Sequence, residues 1–400
     1  MTDLPLARNN ILVLTMAQAL GAASPPIIIS LGGLVGQQLS SDPALITLPV
    51  SLFNLGLAMG TLPAAYVMRR FGRRSGYLLG AGFGITAGLV AALGIFAASF
   101  VVFCIGTFTA GFYAAYVQSY RFAATDAAEG PLKAKAISWV MIGGLVAAII
   151  GPQLVIWTRD AFPGTPYAGS FLSQAALALM AIPVLMLLRA PKAARQAEGT
   201  RDTGRPLIQI LTMPRYMLAV AAGVVSYGLM VFVMTAAPIA MVGHGHSIDH
   251  AALGIQWHVL AMFAPSFVTG HLMARFGKER VTAVGLFLIG VSAAVALAGL
   301  ELTHFWVSLI LLGVGWNFGF IGATAMITDC HTPEERGKAQ GANDFLVFGT
   351  VAAASFFSGT LLHASGWQTI NWLIFPAVAL ILVPLVWQAA NAGRPRVSSP

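Results

Sequence analysis

Apolar positions in this chain form long runs rather than the three-and-four spacing of a surface helix. Runs of about 20 residues, enough to cross a bilayer as a helix, recur twelve times. They are read at 11–37, 44–68, 76–98, 100–121, 137–157 and 167–188, then at 215–241, 252–273, 281–301, 304–328, 340–363 and 367–390. Polar residues collect in the short segments between runs. The pattern predicts an all-α membrane protein with twelve transmembrane helices.

Composition agrees. Hydrophobic residues make up 57% and charged residues 9%, with mean hydropathy +0.79, against about 25% charged in soluble domains. That excludes the soluble multi-domain reading that 400 residues would otherwise suggest. The net charge of +8 does not indicate a nucleic-acid partner, because the basic residues sit in short loops and act as topology signals. Loops assigned alternately to two sides put 21 of the 22 Lys and Arg on one side, leaving Arg159 on the other. By the positive-inside rule both termini are expected in the cytoplasm, with loop 242–251 facing outward. The two cysteines, Cys104 and Cys330, give no disulfide framework. Residues 1–10 lead into the first apolar run without a small-residue cleavage site, so a retained first span is expected.

The chain repeats at half length. Met68-Arg69-Arg70-Phe71-Gly72-Arg73 matches Met273-Ala274-Arg275-Phe276-Gly277-Lys278 at an offset of 205, each after the second span of its half. Asp126 with Lys135-Ala136 answers Asp329 with Lys338-Ala339 at an offset of 203. Parallel repeats of this kind are a transporter signature. They predict an N-terminal bundle over 1–188, a cytoplasmic linker over 189–214, and a C-terminal bundle with a short cytoplasmic tail over 215–400. The two Arg-Phe-Gly turns resemble the signature loops of the major facilitator superfamily, although Arg69 and Ala274 stand where that family usually has an acid. The resemblance implies two pseudo-symmetric six-helix bundles that rock about a central cavity.

One stretch stands apart chemically. Met213 to Met273 holds seven of the 15 Met and five of the 8 His. Met230 and Met234, and His258 and Met262, are each spaced i,i+4 and share a helix face. Counted from the connecting loop, antiparallel neighbours would bring Met234 level with His258 and Met230 level with Met262. Thioether and imidazole suit copper, and thioether selects Cu(I), so the four are candidate metal ligands. The alternative is ordinary packing by flexible Met. The four positions resemble the motifs of CcoA-type bacterial copper importers, which implies Cu(I) import across the bacterial inner membrane for a copper oxidase. Copper would then be the transported substrate, a cytoplasmic or membrane copper acceptor a partner, and no permanent cofactor would be needed.

Lesser candidates complete the set. Met241, His244, His246 and His250 could gather metal at the outer mouth, and Cys330-His331 could receive it on the inner side. Asp344, the one carboxylate clearly inside a span, is a candidate proton site. No HExxH, phosphate-loop or GxSxG motif is present, so an enzyme is not expected. Two further readings remain: a facilitator-type carrier or exporter of a small organic solute or drug, with the Met/His group as packing, and a membrane-embedded metal sensor or metalloenzyme.

Overall fold

A computed structural model describes residues 4–124, 131–189, 204–332 and 334–391. Most of the expected linker (190–203), the tail (392–400) and Asp126 lie outside the described residues. The first helices are α1 (Leu4–Gly21), α2 (Ser24–Leu39), α3 (Leu48–Phe71), α4 (Arg73–Phe96), α5 (Phe100–Gln118) and α6 (Tyr120–Ala123). They continue with α7 (Pro131–Thr158), α8 (Ala168–Met186), α9 (Leu207–Leu211), α10 (Pro214–Gly243) and α11 (Ile248–Phe263). The last are α12 (Ser266–Phe276), α13 (Lys278–Ala298), α14 (Leu302–Ile327), α15 (Arg336–Trp372) and α16 (Ile374–Asn391). No β-strand occurs among the described residues.

Among the described residues ten stretches are long and apolar enough to cross a membrane, and α11 with α12, bent by 42°, makes an eleventh. One of the ten, Lys338–Gln388, has 51 residues and would run about 76 Å if straight, far beyond the ~30 Å hydrocarbon core. Gly366, at φ 77° and ψ 176°, breaks it near the middle. That backbone region is open to little but glycine. The stretch therefore crosses twice, which makes twelve crossings among the described residues.

Two of the runs expected to be continuous are broken at proline. The first span divides at Ala22-Ala23, where Pro25 and Pro26 open α2. Proline lacks the N–H that a continuing helix requires and suits a helix start. Gly151 of α7 packs against this break, where an added Cβ would sit 2.7 Å from the Ala23 carbonyl oxygen. The eighth span divides at Ala264-Pro265 in the same way.

The buried side chains form two groups. One comes from residues 11–188, joined by Ile239 and Ala252; the other from residues 210–385, joined by Ile29, Val50 and Ala148. The repeated turns also match in backbone: Gly72 has φ 84°, ψ 158° and Gly277 has φ 91°, ψ 152°. At the second turn Lys278 Nζ donates to Asp329 at 2.6 Å, while Arg215 reaches Glu279 at 2.7 Å and Asp329 at 3.1 Å. The acid that Ala274 does not supply is present from the far end of α14.

Candidate substrate site

Hydrogen bonds between residues 4–189 and 204–391 gather at the end of the helices opposite the basic loops. Thr360 Oγ1 donates to the Ala44 carbonyl at 3.2 Å and Thr47 Oγ1 to the Phe356 carbonyl at 3.3 Å. Ser51 Oγ donates to Ser355 Oγ at 3.2 Å, and Gln153 Nε2 to Gln256 Oε1 at 3.0 Å. The lone basic residue of that end, Arg159, forms a two-pronged ion pair with Asp249. Glycine permits the contact: a Cβ on Gly359 would collide with Thr47, and one on Gly33 would come within 2.5 Å of Ile239 Cδ1. This end is closed.

Arg121 of α6 lies within electrostatic reach of Tyr227 on α10 and Asp344 on α15. Both Arg121 and Asp344 are exposed, which leaves open space beside them. Asn343 Nδ2 donates to Asp344 Oδ1 at 3.0 Å and helps fix the carboxylate. Phe348 follows Asp344 by four residues on α15 and shares its face.

Phe348 leads into an aromatic cluster. Tyr227 stands edge-on to Phe320 with centroids 4.9 Å apart, to Trp316 at 5.4 Å, and to Phe348 at 6.1 Å. Trp316 and Phe320, four residues apart on α14, stack at 5.3 Å with planes 17° apart. Phe263 at the end of α11 meets Trp316 at 6.3 Å. Tyr227, Phe320, Phe348 and Phe263 are half-buried. Trp316 is only 7% exposed, and its indole N–H has no acceptor among the described residues. An unsatisfied buried donor costs about 1–3 kcal/mol, which a polar ligand atom at this position would recover.

The proposed metal ligands are placed otherwise. Met230, Met234, His258 and Met262 are all buried. His258 Nδ1 is bonded to the Leu309 carbonyl of α14 at 2.7 Å, and the Met262 carbonyl accepts from Asn317 Nδ2 at 2.6 Å. Gly313 lets α14 approach α11 so closely that an added Cβ would lie 3.1 Å from the Met262 amide. His258 and Met262 thus meet α14 directly, while His258 Nε2 is buried without a hydrogen-bond partner among the described residues. At the far end, His244 Nδ1 pairs with the Ala240 carbonyl at 2.7 Å and His246 Nε2 with the Leu300 carbonyl at 2.8 Å. His250 packs edge-on against Trp306, and Met241 is buried. Cys330 is buried, its Sγ lies 3.5 Å from the Met326 carbonyl, and burial pushes its thiol pKa up. His331 Nδ1 pairs with the Thr332 carbonyl at 3.0 Å. No group of three or more His, Cys, Asp or Glu suited to a metal occurs among the described residues.

Comparison with known proteins decides the cargo question against copper. A family model described as the Major Facilitator Superfamily matches residues 10–265 and 218–400. The riboflavin transporter RfnT of Brucella anthropi is 74% identical over 98% of this chain and 99% of its own. An uncharacterized MFS-type transporter of Bacillus subtilis, YdeG, is 33% identical over 95% of this chain and 92% of its own. Among solved structures, the nucleoside transporter NupG covers 95% of this chain and 98% of its own at TM-score 0.66 and 14% identity. A D-xylose-proton symporter covers 94% and 96% at TM-score 0.76 and 14% identity; both are likenesses of fold. A relative so similar along its whole length that carries riboflavin overturns copper import. Copper as substrate and metal binding fall with it. The organic-solute reading is the one favoured.

Proposed function

The chain belongs to the major facilitator superfamily and is a multi-pass membrane transporter, not an enzyme; on that premise we propose that it carries riboflavin. The observation that carries this reading is the 74% identity to a riboflavin transporter across 98% of the chain. The site's chemistry is compatible: an aromatic face suits a flat ring system, and the charged groups near it suit hydroxyls. Nothing in the site demands an anionic or metallic cargo.

The bundles 1–188 and 215–400 rock against each other in a bacterial inner membrane, with the basic loops and both termini in the cytoplasm. The closed end is then periplasmic and the open space at Arg121 and Asp344 faces inward. Counterflow of radiolabelled riboflavin in proteoliposomes tests the reading whatever the direction of net transport. Vesicles preloaded with unlabelled riboflavin should accumulate label well above protein-free vesicles. Accumulation no greater than the protein-free control rejects riboflavin as cargo.

A further inference from the structure

Riboflavin has two chemically distinct ends: a flat tricyclic ring with carbonyl acceptors, and a flexible polyhydroxy ribityl chain. The protein has two matching regions. Tyr227, Trp316, Phe320 and Phe348 present ring surface from α10, α14 and α15, with centroids 4.9 to 6.1 Å apart. Three of these rings are half-exposed, so the cluster is not sealed core. Asp344 lies one turn from Phe348 on α15, and Arg121 is within electrostatic reach of Asp344 and Tyr227; both are exposed and of opposite charge.

We infer that the aromatic face of Tyr227, Trp316, Phe320 and Phe348 is the ring-binding subsite, and that Arg121 and Asp344 hold the ribityl hydroxyls. This rests on the riboflavin reading and says which residues realise it. Aromatic faces bind flat ligands by offset stacking and edge contacts. The buried Trp316 N–H, which has no acceptor among the described residues, donates to a ring carbonyl. Asp344 accepts hydrogen bonds from the chain's hydroxyls, and Arg121 donates to them. Arg121 comes from the first half of the sequence and the rings from the second. A bound flavin therefore touches both helix groups and favours their closing around it, which is how a carrier couples occupancy to conformation.

The two ends can be tested separately. Quenching of flavin fluorescence by the purified transporter is measured with riboflavin and with lumichrome, which keeps a tricyclic ring but lacks the ribityl chain. Tyr227→Leu and Phe320→Leu should weaken both ligands by at least about tenfold, and Tyr227→Phe should bind nearly as the parent does. Trp316→Phe, which keeps a ring and removes the N–H, should weaken both ligands. Arg121→Gln and Asp344→Asn should weaken riboflavin severalfold and leave lumichrome unchanged. If the parent binds riboflavin while both Leu variants, monodisperse on gel filtration, bind it equally well, the subsite is refuted and the riboflavin reading stands. If the parent binds neither ligand, both fall together.

Discussion

At the scale of single residues, composition drew attention to Met and His, whereas the site proposed above uses Tyr, Trp, Phe, Arg and Asp. The depth count that paired Met234 with His258 assumed neighbouring helices with their marked faces turned together. Instead His258 turns to the Leu309 carbonyl on α14 and is satisfied there at Nδ1. Met230 and Met234 are then core packing, where Met→Leu nearly conserves volume and should cost under about 1.5 kcal/mol. Met230→Leu and Met234→Leu should therefore melt within a few degrees of the parent and transport riboflavin at close to the parental rate. Added copper should leave the melting temperature of either variant and of the parent unmoved. A copper-dependent rise in the parent that the variants lose would restore these sulfurs as ligands.

At the scale of elements, the helices were legible because the bilayer imposes one length and one polarity on every span. The repeated Arg-Phe-Gly turns were legible too, since a glycine between two spans marks a tight reversal, and Gly72 and Gly277 share their positive φ. The breaks at Ala22-Ala23 and Ala264-Pro265 were not, because hydropathy runs straight through them. The proposed aromatic site was hidden for a related reason. Its rings come from α10, α14 and α15, and 24 Phe, 8 Trp and 8 Tyr in an apolar chain offer no contrast. Only the i,i+4 pairs Trp316–Phe320 and Asp344–Phe348 could have hinted at shared faces. Gly366 gives an element-scale test. Any side chain there meets a backbone that only glycine occupies readily, although nothing lies within 4 Å of its would-be Cβ. Gly366→Ala should lower stability by about 1–3 kcal/mol from strain alone. Gly341→Ala on the same helix, also unobstructed but without the positive φ, should be neutral or slightly stabilising. Equal melting temperatures for the two variants would remove Gly366 as the turn that makes a twelfth crossing.

At the scale of the whole molecule, the closed end depends on a small set of polar contacts between the helix groups. The Arg159–Asp249 pair stands out because Arg159 is the one basic residue assigned to that end. Its side chains are 18% and 38% exposed, so as a static ion pair it contributes only about 0–1 kcal/mol. Between two conformations of nearly equal free energy that is enough: 1 kcal/mol changes their ratio about fivefold. Breaking the pair should therefore shift the protein toward opening at this end with little change in overall stability. Ser355 reports the shift, because it is fully buried at the contact with Ser51. A Ser355→Cys thiol should be protected in the parent, where native Cys104 and Cys330 are also buried. Adding Asp249→Asn should speed its reaction with a bulky thiol reagent severalfold. Arg159→Gln should do the same, and the two together should do no more than either alone, since both remove one interaction. An unchanged labelling rate in both variants would mean that the apolar and hydroxyl contacts around Thr47, Ser51 and Gly359 hold this end shut without the ion pair.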